Sequence, residues 1–170
     1  MSYTAYIQIR DLIHSFSLNS NSLFVDVGGY LGQFTKHALV NFNCKVVIFE
    51  PYYPHFFHCH KRYRTNKNVT VINAGLGLSN KLCDIYPHRD GTSLYREWHK
   101  EVASKDMVYI MDAGSTLRHF KIDGLKLNCE GAEYEIIDSM NEADIIKDIP
   151  QILIEFHFID RLIFIYIYIY

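Results

Sequence analysis

The segment from Asp26 to Gly32 constrains the fold more than any other, because it places three glycines between a mostly apolar run and an amphipathic stretch. The run, Leu23 to Val27, is short and ends at glycine, which is typical of a buried parallel strand. The stretch from Gln33 to Asn41 is expected to be a helix. Glycine lets the backbone turn sharply between the two and lie close to a ligand. The segment therefore predicts a strand–turn–helix unit with a binding site at its turn.

The same alternation continues along the chain. A second strand is predicted over Lys45 to Phe49, a helix over His55 to Arg64, and a third strand over Val69 to Asn73. This order predicts an α/β fold with a doubly wound, mostly parallel sheet, right-handed crossovers and helices on both faces. Further strands are expected over Leu82 to Tyr86, Met107 to Met111, Gly124 to Cys129 and Gln151 to Phe158, with a helix over Ala132 to Met140.

The chain of 170 residues has the size of one domain with a single core. Residues 1–22 are expected to form an N-terminal helix, Thr4 to Phe16, and a turn. Residues 23–158 form the expected binding core, and residues 159–170 are a low-complexity tail. The strict Ile-Tyr alternation from Ile165 to Tyr170 suits a strand with one buried face. An alternating A-T tract of DNA encodes the same repeat, so we expect that the natural C-terminus and its closing strands are truncated here.

Composition excludes several classes of partner. A formal net charge of −2 provides no basic field, so no nucleic-acid partner is expected. The sequence has no uninterrupted apolar run of about 18 residues, so no membrane span is predicted. The N-terminus does not resemble a signal peptide. The four cysteines are scattered, which predicts neither disulfides nor a zinc site and favours a reducing, cytoplasmic location. His55 and His58 share a predicted helix face but lack a second ligand pair, so no metal site is expected.

Two features suit an adenosine-containing ligand. The N–H groups at the start of the helix beyond the glycine turn attract a carboxylate or phosphate. Glu50 ends the second strand about 20 residues past the turn, where an acidic side chain binds ribose hydroxyls. The glycines are not spaced as Gly-x-Gly-x-x-Gly, so the dinucleotide-binding fingerprint is incomplete. No Gly-Lys-Ser/Thr follows, so a P-loop is excluded. A domain that binds NAD or a nucleotide sugar remains an alternative. Asn73 and Ala74, at the end of the third strand, are expected to meet an adenine edge or to form a simple turn.

A second polar segment follows a predicted strand near the end of the chain. From Leu125 to Glu133 it reads Leu-Lys-Leu-Asn-Cys-Glu-Gly-Ala-Glu. Ligands in open α/β sheets bind outside the carboxyl ends of the strands, so Glu130 is expected to face the same crevice as Asp26 and Glu50. Glu133 falls in the first helical turn, where capping and catalysis explain its carboxylate equally well.

The two segments resemble the Asp-Val-Gly-Ala-Asn-x-Gly and Leu-Lys-Ile-Asp-Val-Glu-Gly-Ala-Glu signatures of the FkbM-type methyltransferases, which depend on S-adenosylmethionine. The similarity spans roughly Leu23 to His157, with the shared segments in family order. Those segments include Phe49-Glu50-Pro51, Asn73-Ala74-Gly75-Leu76, Gly91-Thr92-Ser93-Leu94 and Ile154-Glu155-Phe156-His157. A Glu-Gly-Ala-Glu sequence after an apolar strand is the most specific of these features.

The resemblance implies a Rossmann-like methyltransferase fold, S-adenosylmethionine as the cofactor, and methyl transfer to a hydroxyl of a sugar, a glycan or a similar small molecule. It implies that Asp26, Gly28 and Gly32 shape the methionine end of the cofactor pocket and that Glu50 holds the ribose. The expected cofactor-binding residues are Asp26, Gly28, Gly29, Tyr30, Gly32, Glu50, Pro51, Asn73, Ala74 and Asn128. The residues implied to line the reaction centre are Glu130, Glu155 and His157.

Three departures from the family pattern affect the expected site. Tyr30 stands where the family usually has Asn, which places a bulky ring beside the cofactor's amino-acid end. Asn128 replaces the usual Asp, which removes a carboxylate and a ligand that a hard cation would prefer. After His157 only about a dozen residues remain, too few for the two closing strands of the family. These departures keep open a second hypothesis, a non-catalytic remnant that retains the fold or cofactor binding.

Methyl transfer from a sulfonium needs alignment, and a hydroxyl acceptor gains from a base that takes its proton. His157 is the first candidate, because histidine ordinarily titrates near neutral pH. Glu155 and His157 share a strand face, so Glu155 is expected to orient His157 or to act as the base itself. A structural role for His157 is the alternative. Arg89, Asp90 and Ser93, in a polar loop, are expected to touch the substrate.

Overall fold

The computed structural model describes residues 9–88, 92–96, 104–157 and 163–169. Within these ranges the chain forms nine strands and four α-helices. The strands are β1 (Leu23–Val27), β2 (Lys45–Phe49), β3 (Val69–Ile72), β4 (Gly75–Gly77), β5 (Lys81–Ile85), β6 (Asp106–Asp112), β7 (Gly124–Leu127), β8 (Gln151–His157) and β9 (Ile163–Ile169). The helices are α1 (Gln33–Phe42), α2 (Tyr53–Tyr63), α3 (Ala113–Leu117) and α4 (Glu133–Glu142). Two 3₁₀ segments, Ile9–Ser15 and Ile146–Asp148, precede β1 and β8.

The main sheet of the described chain has six strands in the order β3-β2-β1-β7-β8-β9. The first five are parallel, and β9 runs antiparallel to β8. The strand order reverses at β1, which pairs with β2 on one side and with β7 on the other. In open α/β sheets a ligand crevice forms outside the carboxyl ends of the strands at such a reversal. The expected doubly wound, mostly parallel sheet is confirmed, and its crevice lies beyond β1 and β7.

Alternate residues of each strand face two separate cores. On one face, Phe24 and Ile48 pack with residues of α1, α2 and the N-terminal 3₁₀ segment. On the other face, Val25 and Leu125 pack with residues of α3 and α4. All four side chains are fully buried. Helices therefore cover both faces, which explains why the central strands are mostly apolar rather than alternating between apolar and polar residues.

A second sheet of three strands lies outside the main one, in the order β4-β6-β5. Strand β4 is parallel to β6, and β5 is antiparallel to it. The sequence predicted β5 and β6 to within one residue at each end, but it missed β4 and α3. Strand β4 has three residues and α3 has five, so neither offers a hydrophobic period long enough to recognise.

The expected N-terminal helix, Thr4 to Phe16, lies only partly within the described residues. Its described part, Ile9–Ser15, is a 3₁₀ helix, and residues 1–8 lie outside the described residues. Ile13 and Phe16 are buried against the α1 and α2 side of the sheet. The described part of this segment is therefore helical, in the 3₁₀ form.

The Ile-Tyr repeat lies in β9 as far as Ile169, as its alternation predicted, and residue 170 lies outside the described residues. The backbone of β9 pairs with β8 over its whole length, from Ile163 opposite His157 to Ile169 opposite Gln151. The main sheet thus continues past residue 158, where the expected binding core ended.

A buried ion pair joins β1 to β7 beneath the crevice. Lys126 Nζ lies 3.0 Å from Asp26 Oδ1, and the two side chains are 4% and 0% exposed. Lys126 Nζ also donates to the carbonyl oxygens of Val27 (3.1 Å) and Gly28 (2.7 Å). Thr35 Oγ1 donates to Asp26 Oδ2 at 2.7 Å. Because Asp26 Oδ1 accepts no hydrogen bond of proper geometry, its contact with Lys126 is one of opposite charges. The ammonium thereby fixes the start of the glycine turn.

The turn requires glycine at position 28. The φ angle of Gly28 is +76°, and a Cβ there would lie 1.8 Å from the backbone oxygen of Asn128. The loops after β1 and β7 therefore touch backbone to backbone. The N–H groups of Gly28 and Gly29 both donate to the carbonyl oxygen of Phe49, at 3.0 and 3.2 Å. These bonds attach the turn to the end of β2.

Lys126→Met is expected to lower the free energy of unfolding by about 3–5 kcal/mol, because it leaves the buried carboxylate of Asp26 without its cation. Urea denaturation measures the loss. Lys147→Met is the matched control, since Lys147 pairs with Asp144 at the exposed surface. Its removal should cost at most about 1 kcal/mol. The double variant Asp26→Leu/Lys126→Met should recover part of the loss. A cost for Lys126→Met no larger than that of the control would contradict the buried pair.

Gly28→Ala is expected to lower the free energy of unfolding by about 2 kcal/mol or more, because backbone strain and the collision with Asn128 add together. Circular dichroism during urea denaturation measures this change. Val40→Ala on α1 is the control, because Val40 is 75% exposed and its truncation should change stability by about 0.5 kcal/mol or less. Equal stability of the two variants would show that the turn is not as described.

Candidate active site

The expected site residues lie along one edge of the main sheet. Strands β1, β2, β7 and β8 are parallel, so their carboxyl ends meet at that edge. The glycine turn follows β1, Glu50 follows β2, Asn128 follows β7, and β8 ends at His157. The structure therefore brings the glycine turn, Glu50, Asn128 and His157 to the crevice where the strand order reverses.

Asp26 lies beneath this crevice rather than in it. Its side chain is fully buried, and its oxygens contact Lys126 and Thr35. We expected Asp26 to shape the methionine end of the pocket. The contacts show that Asp26 holds Lys126 against the carbonyl groups of Val27 and Gly28, and a role of Asp26 at the methionine end stays a prediction.

Glu50 is buried at the end of β2, with 5% exposure. Its Oε2 accepts the N–H of Tyr30 at 2.7 Å, and its Oε1 accepts the N–H of Tyr52 at 3.0 Å. Burial raises the pKa of Glu50 to about 7, an effect that the two N–H donors and the charge of Lys126 only partly oppose. Each carboxylate oxygen has capacity for a further donor. Glu50 is therefore a fixed acceptor that changes its charge near neutral pH.

Tyr30 adopts a left-handed backbone conformation, with φ 49°, a region that Asn tolerates better than Tyr. Its ring lies edge-on to the ring of His55, with centroids 4.6 Å apart. His55 in turn packs edge-on to Tyr52 at 4.8 Å and approaches Glu50 Oε1 to 3.9 Å. The ring of Tyr30 therefore packs against His55, which lies close to Glu50, and its place beside the cofactor's amino-acid end stays a prediction.

Helix α2 holds the far end of the glycine turn. Gly32 caps α1 with φ 74°, and its carbonyl oxygen accepts the hydroxyl of Tyr63 at 2.6 Å. The thiol of Cys59 donates to the carbonyl oxygen of Tyr30 at 3.0 Å. The start of α1 is thus anchored from two neighbouring positions on α2.

Asn73 secures the connection between β2 and α2. Its Nδ2 donates to the carbonyl oxygens of Glu50 and Pro51, both at 3.0 Å, while Ala74 is buried. Of the two expectations for this segment, the side-chain contacts favour the structural turn. Contact of Asn73 or Ala74 with an adenine edge stays a prediction.

His157 lies between two carboxylates. Its Nδ1 is 3.1 Å from Glu133 Oε1, and its Nε2 is 3.6 Å from Glu130 Oε1. Glu133 also accepts the N–H groups of Cys129 at Oε1 and of Gly131 at Oε2, at 2.5 and 3.0 Å. The side chain of Glu133 is fully buried, and that of His157 is 8% exposed. The imidazole is therefore held on one side by a carboxylate that the backbone itself fixes.

The charges around His157 favour its protonated form. Burial lowers the pKa of His157, but the hydrogen bond to Glu133 and the charges of Glu130, Glu133 and Glu155 outweigh it. The net pKa is raised above the ordinary value of 6.5. Below that raised pKa the ring is an imidazolium ion. Above it, the ring is neutral and able to take a proton.

Asn128 and Glu155 form a separate pair. Asn128 Nδ2 donates to Glu155 Oε2 at 2.5 Å. Burial raises the pKa of Glu155, and the charges of His157 and Lys126 oppose that rise. The carboxylate at His157 Nδ1 is therefore that of Glu133, whereas the sequence suggested Glu155 as the residue that orients the ring or acts as the base.

Sequence reasoning missed the roles of Lys126 and Thr35, and it left that of Glu133 undecided. A signal for Lys126 was available, because a lysine within an apolar strand needs a buried anion. The sequence placed Glu133 in the first turn of α4. That its side chain reaches His157 is shown only by the packing of α4 against β8. Nothing in the sequence indicates the partner of Thr35.

The loop residue Ser93 is buried, with 1% exposure. Its hydroxyl donates to the carbonyl oxygen of Glu130 at 2.7 Å, and Glu130 has a left-handed φ of 52°. Ser93 thus supports the conformation of Glu130, rather than facing substrate as expected. Arg89 and Asp90, which shared that expectation, lie outside the described residues.

Two features are absent from the part of the chain that the structure describes. No group of three or more His, Cys, Asp and Glu side chains there is arranged to hold a metal ion. Among the same residues, no helix combines the length and the apolar composition needed to cross a membrane.

Solved structures with a similar fold include three methyl-transfer or related proteins. Precorrin-6y C5,15-methyltransferase from Geobacter metallireducens GS-15 is 12% identical, with a TM-score of 0.54 over 94% of this chain and 70% of that chain. An rRNA methylase from Streptococcus thermophilus is 12% identical, with a TM-score of 0.51 over 87% and 68%. The cyclopropane synthase MmaA2 from Mycobacterium tuberculosis is 15% identical, with a TM-score of 0.50 over 87% and 41%. At these identities the likeness shows the fold alone, and it confirms the expected Rossmann-like methyltransferase fold.

The sequence itself gives the family. None of the curated proteins compared with the chain matches it significantly in sequence. Over residues 26–164, however, the chain matches the family described as the methyltransferase FkbM domain. The match begins at the aspartate before the glycine turn, includes the whole segment from Leu125 to Glu133, and ends within β9. The chain therefore belongs to the FkbM methyltransferase family and is a methyltransferase with S-adenosylmethionine as its cofactor.

Proposed function

We propose that the chain transfers the methyl group of S-adenosylmethionine to a hydroxyl of a sugar, a glycan or a similar small molecule. This proposal rests on the position of His157, at the end of β8 with a carboxylate near each of its ring nitrogens. A base in this place suits an acceptor that must lose a proton as it is methylated. A hydroxyl is such an acceptor.

The donors and acceptors along the sheet edge fit the cofactor. Glu50 offers carboxylate oxygens to the ribose hydroxyls, and the first turn of α1 offers N–H groups and a positive dipole end to the amino-acid carboxylate. Asp26 does not repel that carboxylate, because Lys126 neutralises it. The absence of a side chain at Gly28 keeps the backbone of the turn against the loop after β7.

When held by Glu50 and the first turn of α1, S-adenosylmethionine would supply a methyl group on a positively charged sulfur. The methyl carbon would bond to the acceptor oxygen, and the electron pair of the broken carbon–sulfur bond would stay on the neutral thioether. His157 Nε2 takes the proton that the acceptor hydroxyl releases. The resulting imidazolium ion is stabilised by Glu133 at Nδ1 and by Glu130 near Nε2. The protein thus contributes alignment of the acceptor and removal of its proton.

The charges around His157 favour an uncharged acceptor. Glu130, Glu133 and Glu155 all act on the ring electrostatically, while Lys126, the buried cation of this edge, is paired with Asp26. Carboxylates accept hydrogen bonds from hydroxyls strongly and repel phosphates and other carboxylates. A neutral polyol meets these conditions, and a sugar phosphate with its charge beside the reacting hydroxyl does not.

Cofactor binding is expected to weaken as the pH falls. Glu50 accepts ribose hydroxyls best when it is ionised, and its pKa of about 7 means that its ionised fraction drops between pH 8 and pH 6. If only the ionised form binds, the Kd for S-adenosylmethionine rises about tenfold over this interval. Isothermal titration calorimetry at the two pH values measures the change.

Glu50→Gln should bind the cofactor weakly at both pH values and lose most of the pH dependence. Glu142→Gln, at an exposed position on α4, is the control and should match the wild-type protein. Wild-type affinity in Glu50→Gln would contradict the assignment of Glu50 to the ribose.

His157→Ala is expected to lower kcat for methyl transfer by about 10²–10³-fold, because the acceptor loses its base. Its Kd for S-adenosylmethionine should remain nearly unchanged. In the wild-type protein, kcat/KM should rise with pH through a pKa above 6.5, since the neutral ring is the active form. Transfer of a labelled methyl group to a panel of neutral glycans, with sugar phosphates beside them, measures these quantities.

His119→Ala is the matched control, because His119 is exposed and lies near the amino ends of β1 and β2, at the opposite edge of the sheet. Unchanged turnover in His157→Ala would remove His157 as the base. Cofactor binding without methylation of any neutral acceptor would contradict the proposal and favour the non-catalytic remnant.

A further inference from the structure

The carboxylate of Glu133 is fully buried beside His157. Its Oε1 accepts the N–H of Cys129, its Oε2 accepts the N–H of Gly131, and Oε1 also lies 3.1 Å from His157 Nδ1. Both oxygens are therefore bound to the backbone of one loop, and one of them reaches the imidazole. The position of this carboxylate is set by the segment that joins β7 to α4.

Stabilisation of α4 by a first-turn carboxylate does not by itself explain this arrangement. Glu135 lies in the same first turn and keeps its side chain 29% exposed, paired with Lys81. The helix dipole attracts a carboxylate at the surface as well as a buried one. Complete burial of a charge is costly unless a cation or several donors compensate for it. At Glu133 the compensation comes from two backbone N–H groups and from His157.

We propose that Glu133 is the positioning residue of His157, holding the ring proton on Nδ1 so that Nε2 takes the proton of the acceptor. The catalytic role of Glu133 rests on the proposed function, whereas its contact with His157 does not. Neutral histidine carries one ring proton, and the stronger acceptor decides which nitrogen holds it. Glu133 Oε1 is 3.1 Å from Nδ1, while Glu130 Oε1 is 3.6 Å from Nε2. The closer and fully buried carboxylate therefore selects the tautomer.

Among the described residues, carboxylates from three parts of the chain act on His157. Glu133 comes from α4, Glu130 from the loop between β7 and α4, and Glu155 from β8 itself. Together they raise the pKa of the ring, which burial alone would lower. Loss of the charge at Glu133 should therefore lower the pKa of His157. Loss of the hydrogen bond from Nδ1 should let the ring proton occupy either nitrogen.

Nitrogen NMR of protein labelled with ¹⁵N-histidine tests the proposal without any turnover. The ring signals of His157 are assigned by their loss in His157→Gln. In the wild-type protein we expect the proton on Nδ1 at high pH and a pKa above 6.5. In Glu133→Gln we expect a mixture of tautomers and a lower pKa. Glu142→Gln, at an exposed position of the same helix, should leave both properties unchanged.

Kinetics supply a second readout. Glu133→Gln should lower kcat by about 10²-fold, shift the pH profile of kcat/KM to lower pH, and leave the Kd for S-adenosylmethionine unchanged. Glu133→Asp retains a carboxylate one methylene shorter, so it should restore part of the turnover and of the pKa. A merely structural role predicts a loss of stability without a shift of the pH profile.

An unchanged tautomer and pKa of His157 in folded Glu133→Gln protein would overturn the proposal. If that variant does not fold, an unchanged pKa in Glu133→Asp would overturn it equally. The two proposals fail separately. The NMR changes without methyl transfer to any acceptor would sink the proposed function alone, and methyl transfer without the NMR changes would sink the positioning role alone.

Discussion

The burial of Lys126 is the constraint on which the sheet and the site both depend. A lysine in a strand covered on both faces must find an anion and acceptors, and Lys126 finds them in Asp26 and in the carbonyl groups of Val27 and Gly28. These contacts bind β1 to β7 where the strand order reverses. The glycine turn is thereby held against the loop after β7, and the crevice lies above this buried, neutralised ion pair.

Above this ion pair, the titratable groups of the crevice lie in two separate halves. Glu50, at the end of β2, is a buried acceptor, and its burial brings its pKa to about 7. His157 and its surrounding carboxylates, at the ends of β7 and β8, favour a positive charge. The first half suits a neutral diol such as ribose, and the second suits removal of a proton. Tyr30 and Asn128 modify one half each, since Tyr30 packs near Glu50 through His55 and Asn128 donates to Glu155.

Much of this fold could be predicted, because strands buried on both faces leave continuous apolar runs and glycine marks where the first of them ends. The positions of Glu50, Glu130 and His157 at one edge followed from the strand ends alone. Side-chain partners did not follow. The distance from Glu133 to His157 depends on how α4 packs against β8, and sequence spacing does not determine that packing. The 3₁₀ form of Ile9–Ser15 was likewise invisible, because an apolar face is compatible with either helix type.

A crystal structure of the chain with S-adenosylhomocysteine tests the central claim most directly. We expect the ribose hydroxyls on the carboxylate of Glu50, the amino-acid carboxylate at the first turn of α1, and the thioether sulfur facing the half of the crevice that holds His157. A ribose bound away from Glu50, or a sulfur turned away from His157, would contradict the division of the crevice into a cofactor half and a proton-accepting half.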